Sequence, residues 1–320
     1  MTAADFLTID LPAILVAVFA ATACGLLGNF LVLRRQALIG DAISHVVLPG
    51  IVAGFLIAGT IATLPLLLGA MGAAVIAAAL IEMVRRAGRL ETGAAMGVVF
   101  TTMFAGGIVL LEQSGAANAH LDAEHALYGN LEATLWLGVS GWSDVLTADA
   151  LARLPRQLVT LAAVAAGIAL LVALFFKELK VSTFDPGLAA SLGLPVRAIS
   201  TLLIVVVALA AVAAFEAVGS ILVIAMFICP AATARMLTDN LARQLWISVG
   251  AAVLAGTGGY LAAAFGPQAW GATNSLSAAG TIAVVAGLLQ VAAMLFAPRY
   301  GVVGRALRRR GTRLFDPAIR

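Results

Sequence analysis

PAILVAVFAATACGLLGNFLVLRR, from Pro12 to Arg35, opens with 22 residues free of Asp, Glu, Lys and Arg and closes on an arginine pair. About 20 predominantly apolar residues suffice for a helix to cross the hydrocarbon core of a bilayer. Within that core a helix satisfies its own backbone, which an isolated extended segment does not. The run is therefore read as a membrane span, and Arg34-Arg35 as its cytoplasmic end. Eight further apolar segments follow, near Asp41–Gly59, Ala62–Val84, Thr92–Leu111, Leu158–Phe176, Ala198–Phe215, Val218–Met236, Leu245–Phe265 and Ser277–Ala297. The sixth and seventh come from one long stretch interrupted by a single charge, Glu216, so the turn between them must be tight.

Composition agrees with a polytopic, all-α membrane bundle. Of 320 residues, 62% are hydrophobic and 11% charged, whereas a soluble domain carries about 25% charged residues. An ordinary soluble domain, a disordered chain and a disulfide-stapled module are all excluded. Abundant Gly and Ala suit helices whose backbones approach closely in lipid. The two cysteines, Cys24 and Cys229, lie in apolar runs and offer neither a disulfide framework nor a Cys-based zinc site. The basic balance marks topology rather than nucleic-acid binding. With nine spans and the N-terminus outside, 17 of the 19 basic residues fall on the inner side, and an eight-span arrangement would lose that asymmetry. The exceptions, Arg153 and Arg156, lie in one long outer loop, residues 112–157. The N-terminus has Asp5 and Asp10 in place of a basic n-region, so no cleavable signal peptide is expected. Residues 1–298 read as one membrane domain and residues 299–320 as a basic cytoplasmic tail close to anionic lipid.

Few ionisable residues occur within the spans, where each costs about 2.5–3.5 kcal/mol at a helix centre on insertion scales. Glu82 precedes Arg85-Arg86 by about one turn and is expected to pair with them. Asp41 and His45 are four residues apart, on one helical face. A carboxylate and an imidazole so placed are two ligands for a borderline divalent cation. They are too few for a tight site unless a symmetric partner adds two more. The competing reading is an Asp–His hydrogen bond that only satisfies two polar groups. Glu216 is either exposed at the outer turn or a pathway-lining carboxylate or second metal ligand. The outer loop adds His120, Asp122, Glu124 and His125, a cation-attracting cluster or an ordinary polar loop, and Trp136 and Trp142, read as interface anchors. Neither lysine, Lys177 or Lys180, lies in a P-loop, and H-E-x-x-H and G-x-S-x-G motifs are absent, so no catalytic centre is visible.

The run Arg34-Arg35-Gln36-Ala37-Leu38-Ile39-Gly40-Asp41-Ala42-Ile43-Ser44-His45-Val46-Val47-Leu48-Pro49-Gly50 resembles the signature of the ABC-type zinc/manganese/iron permease family. These are the membrane subunits of importers that take metal from a binding protein. The stretches Ala95–Thr101, Glu124–Leu131, Phe184–Leu194 and Pro230–Ala234 are similar to further family motifs in the same order. The resemblance implies a type II ABC importer fold and a dimer with an identical or similar second permease. It also implies a cytoplasmic ABC ATPase as partner and an extracytoplasmic metal-binding protein, in a prokaryotic inner membrane. By position Asp41 and His45 match the family's intramembrane metal site, and no permanently bound cofactor is expected beyond the transported ion. The segment from Ala231 to Gln244, with Arg235, Asp239 and Arg243, matches where a short polar coupling helix would dock on the ATPase. Glu124 and His125 would sit near the handover from the binding protein. Glu216 and Cys229 depart from the family pattern, so neither role is borrowed.

The alternatives are a proton-coupled secondary metal carrier, a siderophore- or cobalamin-type permease and an intramembrane hydrolase, the last lacking any nucleophile–base pair. The sequence does not choose among Mn²⁺, Zn²⁺ and Fe²⁺. Because His45 must be neutral to bind metal, uptake is expected to fall at acid pH. With the binding protein kept saturated, uptake at about pH 5.5 should be lower than at about pH 7.5; equal rates would count against ligation by His45.

Overall fold

A computed structural model of the chain describes residues 3–60, 63–113, 131–139, 141–145, 147–269, 271, 276–298 and 300–303. Among these, nine helices are long and apolar enough to cross a membrane. They are α1 (Leu11–Leu33), α2 (Ile39–Ala58), α3 (Thr63–Gly88), α4 (Thr92–Gln113), α5 (Arg156–Leu174), α6 (Val196–Val218), α7 (Ser220–Leu237), α8 (Leu241–Ala269) and α9 (Ala278–Phe296). No strand occurs among the described residues. Two short helices, Phe176–Phe184 and Pro186–Ser191, join α5 to α6.

α1 is the central post. It is apolar on all sides, and most of its length is buried, from Pro12 to Leu31. A helix with no polar face has to be surrounded, and α5, α6, α7 and α8 pack around this one. α2 stands beside α3, α4 and α6, while α9 closes the other side against α7 and α8. The helical path of α1 starts earlier than its apolar run, because Phe6–Asp10 continues it as a π-helical turn. Asp10 is thus inside the first span rather than ahead of it. It is tolerated there because Tyr260 of α8 donates a 3.0 Å hydrogen bond to its Oδ1.

The expected tight turn between α6 and α7 is a single residue, Gly219, at φ +78°, whose amide donates to the Phe215 carbonyl. A side chain there would enter a region that glycine alone occupies freely. At the end opposite the arginine pair, Trp136 is not the interface anchor expected of it. It is 3% exposed, and its Nε1 donates to the Ala150 carbonyl, so the indole fills a small core with Leu7 and Val139. Trp142 is exposed, as expected of an anchor.

Polar bonds tie distant spans together. Asn29 donates to the Gly25 carbonyl and accepts from Gln244 of α8, at 2.7 and 2.9 Å, and Ser248 donates to the same carbonyl. Interhelical bonds of this kind contribute about 0.6–2 kcal/mol each in membranes. Where no such bond is made, small residues bring the backbones together. Gly50 and Gly54 form a G-x-x-x-G pair on α2 facing Gly69 of α3, and a Cβ on Gly50 would lie 2.6 Å from the Gly69 carbonyl oxygen. Overpacking of such a contact costs about 1–3 kcal/mol. Gly69→Val is therefore expected to lower Tm in detergent and loosen α2 from α3, whereas Gly72→Ala, on a face with open space, should leave Tm nearly unchanged.

Candidate metal site and basic-end contacts

Arg35 at φ +57° turns the chain from α1 into α2, which puts Asp41 in the first turn of α2 and His45 one turn further on. Both therefore lie within about 10 Å of the helix end that follows the arginine pair. The carboxylate suits that position, since the N-terminal end of a helix carries partial positive charge. His45 Nε2 and Asp41 Oδ1 are 3.6 Å apart, and their side chains are 38% and 31% exposed. That separation is longer than a hydrogen bond and within ion-pairing distance.

The imidazole is held by α4. Its ring stacks on Phe100 with centroids 5.3 Å apart at 17°, and meets Phe104 edge-on at 5.4 Å and 76°. Phe100 and Phe104 are four apart on one face of α4, a spacing that does not by itself say what that face meets. Pro49, one turn after His45, has no N–H to offer, so the His45 carbonyl lacks its usual helical donor. Gly107 of α4 is the residue that lets Pro49 approach. Among the described residues no group of three or more His, Cys, Asp and Glu side chains converges as a metal site. Asp41 and His45 are thus a pair of candidate donors among the described residues. An oxygen and an imidazole nitrogen suit Mn²⁺, Zn²⁺ or Fe²⁺.

The remaining sequence-derived candidates are dispersed. Glu216 is exposed near the far end of α6, three residues before Gly219. It stands about 30 Å along that helix from its start, so it does not join Asp41 and His45. Glu124 and His125, with the rest of the His120–His125 cluster, lie outside the described residues. Cys24 and Cys229 are free thiols. Glu82 pairs with both Arg85 and Arg86, as expected.

Residues 231–244 do not form the separate short helix expected of them. α7 continues to Leu237, Thr238 is extended at φ −149° and ψ 150°, and α8 starts at Leu241. The cause is local, because Thr238 and Asn240 offer side-chain oxygens to the amides of Asn240 and Arg243 and leave room for only a knuckle. Arg235 donates to Asp239 at 2.7 Å, Tyr300 also donates to Asp239, and Arg243 is exposed.

The free-standing helices at this end are Phe176–Phe184 and Pro186–Ser191 instead. Asp185 caps the second by accepting from the Leu188 amide, and Phe184, Leu188 and Leu192 are exposed. Arg34 secures the first helix and the start of α6. Its Nε donates to Thr183, its Nη2 to Ser182 and its Nη1 to Ser200, at 3.0–3.1 Å. Burial lowers the pKa of this guanidinium from its ordinary value, and hydroxyl acceptors offset part of that cost.

A family model described as the ABC 3 transport family matches residues 7–135 and 141–297. The chain belongs to that family. It is 36% identical over 291 residues to the manganese transport system membrane protein MntD of Bacillus subtilis, covering 91% of this chain and 93% of that one. It is 39% identical over 303 residues to the zinc transport system membrane protein TroD of Treponema pallidum, covering 94% and 77%. Among solved structures it is similar to PsaBC from Streptococcus pneumoniae in complex with Fab, with TM-score 0.71, 29% identity and 94% of each chain covered. This family member is a multi-pass membrane protein with the helical fold that its sequence implies.

Arg34→Ala removes three charge-assisted bonds at once, each worth about 1.5–3 kcal/mol. It is expected to raise hydrogen exchange across residues 176–200 on the order of ten-fold or more while leaving α8 and α9 unchanged. Arg34→Lys, which lacks the planar fork, should rescue only part of the protection.

Proposed function

We propose that this chain is the membrane permease of an ATP-driven importer of divalent transition metal ions, and that Asp41 and His45 hold the ion in transit. The observation that carries the proposal is the partly exposed pair on α2, with an imidazole oriented by Phe100 and Phe104. The transport systems named for its relatives, manganese for MntD and zinc for TroD, fit an oxygen–nitrogen donor set.

A second, identical or similar permease related by a two-fold axis would bring the same two donors to the same ion. Four donors in all make a weak, reversible site, which transport needs, since a site that binds too strongly does not release. An external metal-binding protein would deliver the ion, with Glu124 and His125 near the handover and Glu216 as an entry carboxylate at the outer end of α6. The N-terminus would be outside and the basic ends of the helices inside, following the Lys/Arg bias. Having no P-loop, the chain would depend on a cytoplasmic ABC ATPase for hydrolysis.

Arg235, Asp239 and Arg243 would meet that ATPase together with the exposed edge at Phe184, Leu188 and Leu192. Motion received there would pass through Arg34, which grips Ser182 and Thr183, to the four residues that separate it from α2. Asp41 and His45 would thus feel the nucleotide state through a rigid, hydrogen-bonded connection.

The test is ATP-dependent metal uptake by proteoliposomes containing this chain, its ATPase and its binding protein. Asp41→Ala and His45→Ala are each expected to lower uptake by about ten-fold or more with ATPase assembly intact, since each removes one of two donors per subunit. The order in which Mn²⁺, Zn²⁺ and Fe²⁺ compete then names the cargo. Uptake unchanged in both variants would reduce the pair to a structural feature, and uptake without the ATPase would favour a secondary carrier.

A further inference from the structure

A cavity of about 530 Å³ lies between α2, α3 and α6, with Met96 of α4 also on its wall; Asp41, His45, Phe100 and Phe104 do not line it. Its size falls in the range of ligand sites, about 300–1,000 Å³. The lining follows α3 from Ala74 to Arg86, a length of about 18 Å along the helix. One end is polar and basic, with Arg85, Arg86 and Arg197 beside Gln36 and Ser200. The remainder is apolar, and the space exists because Ala74, Ala77 and Ala78 stand where larger side chains would fill it. Val75, also on the lining, is 42% exposed, so the cavity opens to the side of the bundle.

The charges at the mouth do not cancel. Glu82 is shared between Arg85 and Arg86, and among the described residues Arg197 has no ion-pair partner. A basic mouth repels a divalent cation, so the cavity is not a branch of the metal path. A symmetric contact with a second copy would set the same basic rim against itself. An apolar gap open to hydrocarbon has to be filled, because its lining otherwise loses its dispersion contacts. The complementary occupant has an anionic head and an apolar tail.

We propose that this cavity binds one anionic phospholipid from the leaflet facing the basic ends of the helices, its phosphate at Arg85, Arg86 and Arg197 and an acyl chain along Ala74, Ala77 and Ala78. The proposal goes beyond the transport reading and is tested without transport. Purified protein is placed in nanodiscs of phosphatidylcholine containing about 20% phosphatidylglycerol, then released and analysed by native mass spectrometry for retained lipid. Both leaflets have the same composition, so the readout does not depend on orientation.

Wild-type protein is expected to retain phosphatidylglycerol over phosphatidylcholine. Arg197→Ala, a change at an exposed side chain, should lower that preference about five-fold, the worth of one basic residue near a charged surface. Ala78→Phe fills the tail space with all charges kept and should abolish retention of either lipid, with Tm measured alongside to verify folding. Millimolar inorganic phosphate should not displace the bound lipid. Equal retention of the two lipids by wild type, a preference unchanged in Arg197→Ala, or displacement by phosphate would each overturn the proposal. So would disulfide cross-linking between copies of Ala79→Cys, which would put a second permease in the cavity.

Discussion

Helices in lipid gain no hydrophobic free energy by meeting one another, because the acyl chains are as apolar as their side chains. Close backbone contact has to hold the bundle, and the contacts around α2 show how much follows from it. The Gly50-x-x-x-Gly54 face lies on Gly69 of α3, Gly107 of α4 admits Pro49, and Gly40 accepts the Phe227 ring of α7. Three neighbours thereby set the height and rotation of α2. The same contacts determine where Asp41 and His45 point and bring Phe100 and Phe104 of α4 against the imidazole. The Asp41–His45 pair owes its geometry to glycines that carry no chemistry.

The polar groups serve two further ends. Inside the bundle, Gln244 donates to Asn29, and Asn29 and Ser248 both donate to the Gly25 carbonyl, joining α1 to α8 across more than two hundred residues of sequence. At the basic end, hydroxyls from the short helix and from α6 converge on Arg34. Because Arg34 immediately follows α1 and sits four residues ahead of α2, this cluster links the surface-exposed helices to the donor-bearing helix through few soft torsions.

Much of this was legible without coordinates. The apolar runs gave the number of spans, because the bilayer thickness sets a minimum length. The i, i+4 spacing put Asp41 and His45 on one face, and the sequence placed Glu82 within a turn of its two arginines. The misreadings share a cause. Trp136 carries the usual mark of an interface residue, but its destination depends on Leu7, Val139 and Ala150 folding over it. Residues 231–244 have the polarity of a surface helix, yet Thr238 and Asn240 bond to the backbone at once and shorten the segment to a knuckle. The role of Phe100 and Phe104 was equally hidden, since an aromatic pair on a span looks the same whether it faces lipid or an imidazole.

By itself, the sequence determined that the chain is an all-helical membrane protein, roughly where each span lies, and which few ionisable side chains could meet a metal ion. These are properties of one segment against a uniform solvent, so local composition and spacing decide them. Tertiary structure alone decided that α1 is the buried centre and that His45 is clamped by α4. It also decided that Glu216 stands far from the donor pair and that a basic-mouthed cavity opens between α2, α3 and α6. Each of those facts depends on which helix lies beside which. In lipid that choice rests on close shape fit between small residues far apart in the chain, which no local pattern encodes.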